Sequence, residues 1–236
     1  MAEHDVAEIG LAPAEREPRS LSENAFTIIR DRIVTLTLPP GAVIDERVVM
    51  EELGLGRTPV REALHRLGQD GLVTLMHRRG RVVSEININD LRALGEIRIP
   101  LETLAARLSA ERATQADRLE AESLMTGLDA LEDDFTLAKY VPLDQRVHRF
   151  VHRTSKNLFL DQTLERYLYL ALRIWFLRME SFADLLAQED RPAGPGELRQ
   201  MLAAIVTRGG AAAERLMRTH MVRAQQEVLV LLGGPG

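Results

Sequence analysis

The sequence predicts a mainly α-helical protein, in which an N-terminal winged helix-turn-helix precedes a C-terminal all-α helical bundle. Two short β-branched stretches, residues 72–75 and 81–84, follow three helical segments and flank a basic turn, which is typical of a wing hairpin. In the rest of the chain apolar residues recur at helical spacing without strand signals. We therefore expect a disordered tail over residues 1–19, the winged domain over 20–86 and the helical domain over 89–232.

The composition excludes several classes of protein. The chain contains no cysteine, so disulfides, zinc–thiolate sites and thiol nucleophiles are excluded. No run of about 18 apolar residues occurs, so we expect no membrane-spanning helix. The first 19 residues are rich in Ala, Glu and Pro and lack the apolar stretch of a signal peptide, which indicates a tail on a cytoplasmic protein.

The first helix is predicted to begin after Ser20. Ser20 and Glu23 have the spacing of a capping box, in which each side chain bonds the backbone of the other residue. The expected apolar stripe of this helix contains Phe26, Ile29, Ile33 and Leu36. The Pro-Pro-Gly sequence at residues 39–41 is expected to stop it.

Two more helices precede the hairpin. The second is predicted from about residue 45 to 53, with Gly54 in the left-handed conformation at its end. The third begins near Thr58, because a proline early in a helix loses no hydrogen bond, and it ends near Gly71. The hairpin follows, and its turn is expected over residues 77–80.

The third helix has one apolar and one polar face. Its apolar positions follow helical spacing and must face a core. These positions are Val60, Ala63, Leu64 and Leu67, and the outward ones are Thr58, Arg61, Glu62, His65 and Gln69. Arg57 and Arg61 suit a recognition helix, because an arginine can bond a guanine edge or a phosphate. An ordinary solvated face, with arginines for solubility, is the alternative.

The charge distribution makes this region basic. The whole chain carries a net charge of −5, which by itself argues against nucleic acid. Residues 57–81, however, contain six arginines and two acids, a local balance of +4. Phosphate binding depends on such a local patch and not on the charge of the whole chain.

The same segment resembles the GntR family of bacterial regulators. The resemblance lies in GLGRTPVREAL at residues 54–64, RLGQDGLV at 66–73 and HRRGRV at 77–82. It implies DNA binding through the residues at the family's contact positions, which are Arg47, Arg57, Thr58, Arg61 and His77. Gly56 departs from the family, which usually has Ser or Thr there as the cap of the recognition helix. A glycine cap costs only about a few tenths of a kcal/mol, so we expect the helix to form and one phosphate contact to be lost.

Six helices are predicted in the C-terminal domain. Their approximate ranges are 89–112, 115–132, 135–155, 158–188, 196–208 and 211–232. Asn89 and Thr114 are the expected N-caps. Residues 191–196 form the clearest loop, because they contain two prolines and two glycines. Pro100 and Pro142 fall within helical patterns and should kink or break those helices.

Arg98 lies in the middle of an apolar stripe on the first of these helices. An uncompensated buried charge costs about 3–5 kcal/mol, so this guanidinium needs an anion. Glu102, one helical turn later, is one candidate. The carboxylate of a small-molecule effector is the other, and the two anions can share the arginine.

Three polar residues are expected to face the interior of the bundle. Asp144 and His148 lie one turn apart on the apolar stripe of one helix, and His220 is central on the apolar face of the last helix. Two imidazoles and a carboxylate directed into one core suit a divalent metal ion. Hydrogen-bonded core histidines without a metal are the alternative.

The helical domain resembles the FCD ligand-binding domain of FadR-like GntR regulators. The resemblance covers about residues 89–232, and it lies in EIR, LE and AARLSAER within 96–112, DxxVH at 144–148, and AI and ERLMRTH within 204–220. It implies a sensing domain for a small molecule, and in metal-binding members it implies one Asp and three His as ligands.

One of these ligand positions differs in this chain. The middle histidine of the family falls on Leu198, which cannot bind a metal. The resemblance therefore implies three of the four ligands, Asp144, His148 and His220, with His152 at the edge of the face as a weak substitute. A divalent metal such as zinc, nickel or manganese is then bound more weakly, bound with the help of water or ligand oxygen, or absent.

These features favour a homodimeric regulator that binds a double-stranded DNA operator and responds to a small organic acid. A metal-dependent enzyme that uses the same three polar residues is a second hypothesis. It lacks a clear general base, and an enzyme has no need of the arginine patch, so no catalytic residue is assigned. An architectural DNA-binding protein without an effector is the third hypothesis. The inward polar groups argue against it, because apolar residues there would make a structural bundle more stable.

Overall fold

The computed structural model of the chain describes Leu11 and residues 20–131, 134–177 and 193–231. Contacts divide the chain into two compact units. Among the described residues, one unit comprises 20–87 and 169–177, and the other comprises Leu11, 88–131, 134–168 and 193–231. The predicted fold class is confirmed: a helix-turn-helix with a two-stranded wing precedes an all-helical domain. Apart from Leu11, the predicted tail lies outside the described residues.

The N-terminal unit contains three helices and one hairpin. The elements are α1 (Leu21–Val34), α2 (Glu46–Leu53), α3 (Arg57–Gln69), β1 (Val73–Met76) and β2 (Gly80–Val83). The strands are antiparallel, with Val73 opposite Val83 and Met76 opposite Gly80. The apolar face of α3 is buried against α1, as its spacing predicted, and this burial leaves the polar face of α3 outside.

The end of α1 differs from the prediction. Ser20 caps the helix as expected, because its hydroxyl accepts a hydrogen bond from the Glu23 N–H at 3.1 Å. The helix ends at Val34, before the Pro-Pro-Gly sequence, and Leu36 is not on its stripe. Leu36 takes a left-handed conformation with φ 61°. The chain therefore turns back, and the Leu38 N–H bonds the Arg32 carbonyl at 2.8 Å.

The caps of α2 and α3 agree with the sequence. Asp45 accepts hydrogen bonds from the first amides of α2, and Gly54 ends that helix with φ 63°. Gly56 occupies the N-cap position of α3, and no side chain caps this helix. The amides of the first turn of α3 therefore have no side-chain acceptor at the N-cap.

Six helices follow the wing. Residues 169–177 of the fourth of them belong to the N-terminal unit, and the other described residues of these helices belong to the C-terminal unit. The six helices are α4 (Ile88–Arg112), α5 (Gln115–Asp129), α6 (Leu137–Thr154), α7 (Leu158–Leu177), α8 (Ala193–Val206) and α9 (Gly210–Leu231). Thr114 caps α5 in a complete capping box with Asp117, as its position suggested. Asn89 is not a cap, because α4 already begins one residue earlier. The predicted continuation of α7 to residue 188 lies outside the described residues.

The prolines and glycines of this unit interrupt its helices less than the sequence predicted. Of the two expected outcomes, a kink or a break, the break does not occur, because both α4 and α6 continue through Pro100 and Pro142. Each proline removes one backbone hydrogen bond, and the packing of α4 against α6 and α9 offsets that loss. The expected loop at residues 191–196 is also wrong for its last four residues, which form the first turn of α8. Proline is tolerated in a first turn, where its missing N–H has no partner in any case.

The core of the C-terminal unit lies among α4, α5, α6, α8 and α9. The apolar stripe of α8 that contains Leu198 is fully buried, and its members are Leu198, Met201, Leu202 and Ile205. Because α4, α6, α8 and α9 pack on one another, polar side chains on their inner faces meet in one place. Within the described ranges, none of the helices is both long and apolar enough to cross a membrane.

Candidate functional sites

The first candidate site is the outer surface of α3 and its surroundings. Arg57, Thr58 and Arg61 are exposed on the N-terminal half of α3. Arg47 is exposed on α2, and His77 is exposed in the turn between the two strands. The five residues assigned to DNA contacts are therefore all accessible, and none is used to hold the core.

A carboxylate for which the sequence predicted no role lies beside this surface. Glu46, the first residue of α2, accepts a hydrogen bond from Arg61 Nε at 2.8 Å through Oε2. Its other oxygen, Oε1, accepts one from Arg81 Nε at 3.3 Å. The hydrogen bond from Arg61 is the main cause that lowers the pKa of Glu46, so this carboxylate is charged at neutral pH.

The second candidate site is a polar centre inside the C-terminal unit. Asp144, His148 and His220 come together there, and one potential ligand atom from each lies within 4.8 Å of the others. Asp144 Oδ1 is 3.9 Å from His148 Nε2 and 3.8 Å from His220 Nε2. Both histidines are buried, and Asp144 is partly accessible. The helices thus assemble the three residues that the resemblance indicated.

The far nitrogen of each histidine bonds a second carboxylate. His148 Nδ1 is 3.1 Å from Glu102 Oε2, and His220 Nδ1 is 3.1 Å from Glu197 Oε2. An ionised carboxylate only accepts hydrogen bonds, so each Nδ1 must carry the proton. When these imidazoles are neutral, each Nε2 therefore presents its lone pair toward Asp144, which is the tautomer that a metal ligand requires.

Glu102 is the hub of the buried network. Its Oε1 accepts from Arg98, with Nε at 3.1 Å and Nη2 at 3.0 Å. Glu102 is thus the internal partner of Arg98 that the spacing of one helical turn predicted. Burial alone would raise the pKa of Glu102, but the neighbouring His152, His148 and Arg98 hold that pKa well below its usual value. Burial lowers the pKa of His148, and Glu102 and Asp144 more than offset this, so it is raised overall.

His152 lies deeper than predicted. It is fully buried and not at the edge of the face, because α6 is covered on several sides. Its Nε2 is 3.0 Å from Glu102 Oε2, so this one oxygen accepts from two imidazoles. Glu102, His148 and His152 can also be grouped as potential metal ligands. Their hydrogen-bond distances and the Arg98 guanidinium on the same carboxylate favour a hydrogen-bonded network instead.

Three further residues of the centre, Glu197, Arg223 and Tyr140, were not predicted from the sequence. Glu197 precedes the position of the missing ligand, Leu198, by one residue. Arg223 donates to Glu197 through Nε and Nη2, the latter at 2.8 Å. Burial opposes ionisation of Glu197, but bonds from His220 and Arg223 lower its pKa to about 2. Tyr140, one turn before Asp144, donates to its Oδ1 at 3.2 Å.

The combination of an exposed basic recognition helix with a helical domain around a polar centre defines a two-domain DNA-binding transcription regulator. Comparison with known families agrees. Residues 21–83 match the model of bacterial regulatory proteins of the gntR family, and residues 93–223 match the FCD domain. The chain therefore belongs to the GntR family and carries an FCD domain.

Individual relatives support the same class. The HTH-type transcriptional repressor RspR of Escherichia coli is 26% identical over 211 residues, which cover 88% of this chain and 89% of RspR. The HTH-type transcriptional regulator YdhC of Bacillus subtilis is 28% identical over 141 residues, which cover 59% of this chain and 63% of YdhC. The chain thus spans less than two thirds of YdhC. Because these relatives and both families are regulators and not enzymes, the hypothesis of a metal-dependent enzyme is dropped.

Solved structures share the fold. Escherichia coli McbR/YncC matches with a TM-score of 0.68 and 22% identity, covering 91% of this chain and 98% of that chain. A GntR regulator from Rhodococcus sp. RHA1 matches with a TM-score of 0.67 and 21% identity, covering 89% of this chain and 97% of that chain. At these identities the likeness concerns the fold.

Proposed function

We propose that the chain recognises a specific operator by placing the N-terminal half of α3 in the major groove. Arg57, Thr58 and Arg61 would contact bases or adjacent phosphates, and Arg47 and His77 would contact the DNA on either side. The main support is the exposed basic face of α3, whose opposite face is completely buried. This geometry suits a helix that enters a groove while its other side remains in the protein core.

The operator is proposed to be pseudo-palindromic and bound by a homodimer. One recognition helix per chain reads too few base pairs for specificity within a genome. Two copies would place two such helices about one helical turn of DNA apart. Since the chromosome is the target, the proposed location of the protein is the cytoplasm.

The reading surface can be tested with Arg61→Ala. A duplex is first enriched from a random pool by the wild-type protein, and binding is measured by fluorescence anisotropy. We expect the variant to lose about 1–3 kcal/mol of binding free energy for the selected duplex. Arg66→Ala is the control, because it removes the same charge from the same helix, where Arg66 stacks on Phe26. Wild-type affinity in Arg61→Ala would contradict the assigned reading surface.

We further propose that the polar centre holds a divalent metal through Asp144, His148 and His220. The donor set fits such an ion, because two imidazole Nε2 atoms and one carboxylate oxygen face each other within 4.8 Å. Glu102 and Glu197 orient the two imidazoles from behind, as outer carboxylates do around metal-binding histidines. Zinc, nickel and manganese are the candidates. When bound, the ion would supply positive charge and open coordination positions.

The charges around the centre indicate why an acidic effector would depend on that ion. The carboxylates of Glu102, Asp144 and Glu197 contact the histidines, and the nearby guanidiniums of Arg98 and Arg223 already pair with Glu102 and Glu197. With neutral imidazoles the centre is therefore net negative and would repel a carboxylate. A divalent cation reverses this balance. We propose that a small organic acid then binds between the metal and Arg98 and modulates operator affinity.

Metal binding is tested by elemental analysis of protein purified without chelator and given excess zinc, nickel or manganese. The expected result is about one ion per chain, falling below about 0.1 in His148→Ala. His65→Ala, which removes an exposed histidine from α3, is the matched control. Less than about 0.1 ion in the wild type would leave hydrogen-bonded core histidines as the explanation.

Effector binding is tested by calorimetry of metal-loaded protein with small mono- and dicarboxylic acids. Arg98→Gln should weaken the binding of the acid that the wild type selects. Arg107→Gln is the control on the same helix, because Arg107 is exposed and pairs only loosely with Glu214 at 3.8 Å. Equal affinity in wild type and Arg98→Gln would reduce Arg98 to a structural partner of Glu102.

A further inference from the structure

Glu46 poses a problem for a DNA-binding surface. An acidic side chain beside a recognition helix repels the phosphates that the surrounding arginines attract, and this lowers affinity for any DNA. Yet this carboxylate bonds both Arg61 on α3 and Arg81 on β2. Through these two ion pairs, Glu46 links the first turn of α2 to the recognition helix and to the wing.

The position of this carboxylate is well defined. Asp45 caps α2 and accepts from the Arg47 N–H at 2.8 Å, which fixes the backbone around Glu46. The Glu46 side chain is 28% exposed, whereas that of Arg61 is 56% exposed. Glu46 is therefore recessed relative to the arginine that it holds, and Arg61 would meet DNA first.

The atoms used in the two pairs leave the arginines competent to bind DNA. Both Arg61 and Arg81 donate to Glu46 through Nε. Their terminal Nη nitrogens are not used in these bonds, and they can still form hydrogen bonds to a base edge or a phosphate. A free arginine side chain loses rotamer entropy when it is ordered, so one that is already held loses less on binding.

We propose that Glu46 determines specificity: it holds Arg61 and Arg81 in the orientation that the operator requires and repels phosphates in other registers. The proposal rests on the reading surface proposed above. It predicts that a protein without this carboxylate binds DNA more tightly but discriminates less, because two released cations can reach any phosphate.

The test compares the selected duplex with a scrambled duplex of equal length and composition. Glu46→Gln keeps the shape of the side chain and removes its charge. We expect affinity for the scrambled duplex to rise about tenfold with a steeper salt dependence, while affinity for the selected duplex changes much less. Glu62→Gln is the matched control, since it removes an exposed acid from α3 itself. The selectivity ratio is the affinity for the selected duplex divided by that for the scrambled duplex. A ratio in Glu46→Gln within about twofold of the wild type, or an equal loss of selectivity in Glu46→Gln and Glu62→Gln, overturns the proposal.

A second variant separates orientation from charge. Glu46→Asp keeps the charge but shortens the side chain by one methylene, so it cannot reach both arginines. The selectivity ratio should fall in this variant as well, and thermal melting should show that the fold is retained. Full selectivity in Glu46→Asp overturns the positioning role. If the proposed reading surface itself is wrong, this would appear in a different experiment, as wild-type affinity of Arg61→Ala for the selected duplex.

Discussion

Replacement of Glu197 by Gln tests whether the polar centre is built as a metal site. Glu197 Oε2 lies 3.1 Å from His220 Nδ1, and the His220 side chain is only 4% exposed. The pKa of Glu197 is lowered to about 2, so the carboxylate is charged under all working conditions. It therefore favours the neutral tautomer with the proton on Nδ1, in which the Nε2 lone pair faces Asp144.

The size of the effect follows from this single contact. Loss of an outer carboxylate behind a metal-binding histidine reduces metal affinity by about 10- to 100-fold, or roughly 1.4–2.7 kcal/mol. Glutamine still offers an acceptor oxygen to His220. We therefore expect Glu197→Gln to lie near the lower limit, with zinc bound about tenfold more weakly than in the wild type.

The assay is calorimetric titration of zinc into protein that has been freed of metal by a chelator. Glu227→Gln is the matched control. Glu227 pairs with Arg223 as Glu197 does, but Glu197 is the carboxylate that bonds His220. The control neutralises another carboxylate that pairs with the same arginine, and it should leave zinc affinity near that of the wild type.

Two results would refute this reasoning. Wild-type zinc affinity in Glu197→Gln would show that the carboxylate does not orient His220 for a metal. Equal weakening in Glu197→Gln and Glu227→Gln would show that only the charge around Arg223 matters.

Two further predictions concern helix caps. Asp117→Asn should destabilise the protein by about 1–2 kcal/mol at neutral pH, because Asp117 accepts from the Thr114 N–H and hydroxyl and pairs with Lys156. Burial raises the pKa of Asp117, but these partners lower it below its usual value of 3.8, so its contribution is present above pH 3.8 and is lost as the pH falls through the lowered pKa. Urea unfolding at several pH values checks this, and a difference that is independent of pH would contradict it. Gly56→Ser should stabilise α3 by about a few tenths of a kcal/mol. It should also steepen the salt dependence of DNA binding by about one phosphate contact, and an unchanged slope in anisotropy titrations would contradict the second effect.

Patterns within a single helix were predictable from the sequence. The buried face of α3 follows from the spacing of Val60 and Leu64, because helical geometry places residues three and four apart on one side. The same rule placed Asp144 and His148 together. Periodicity also placed His220 on the inner face of the last helix, and the resemblance implied that Leu198 stands at a ligand position.

Contacts between distant segments required the tertiary structure. Glu102 and His148 are 46 residues apart, and Glu46 and Arg81 are 35 apart. Helical periodicity states which face a residue occupies, but not which residue of another element lies opposite. The sequence therefore offered Glu102 only as the local partner of Arg98, although its second oxygen holds two histidines.

The depth of burial was also decided by packing. His152 lies one turn from His148, and the spacing placed it at the edge of the inner face. It is fully buried because α6 contacts α4, α5 and α8 and therefore exposes little of its circumference. The sequence by itself determined the fold class, the basic recognition helix and the three converging ligand candidates, because each follows from local periodicity or a contiguous motif. The carboxylates that orient those side chains were decided only in the folded chain, because charge pairing depends on which helices pack together and at what register.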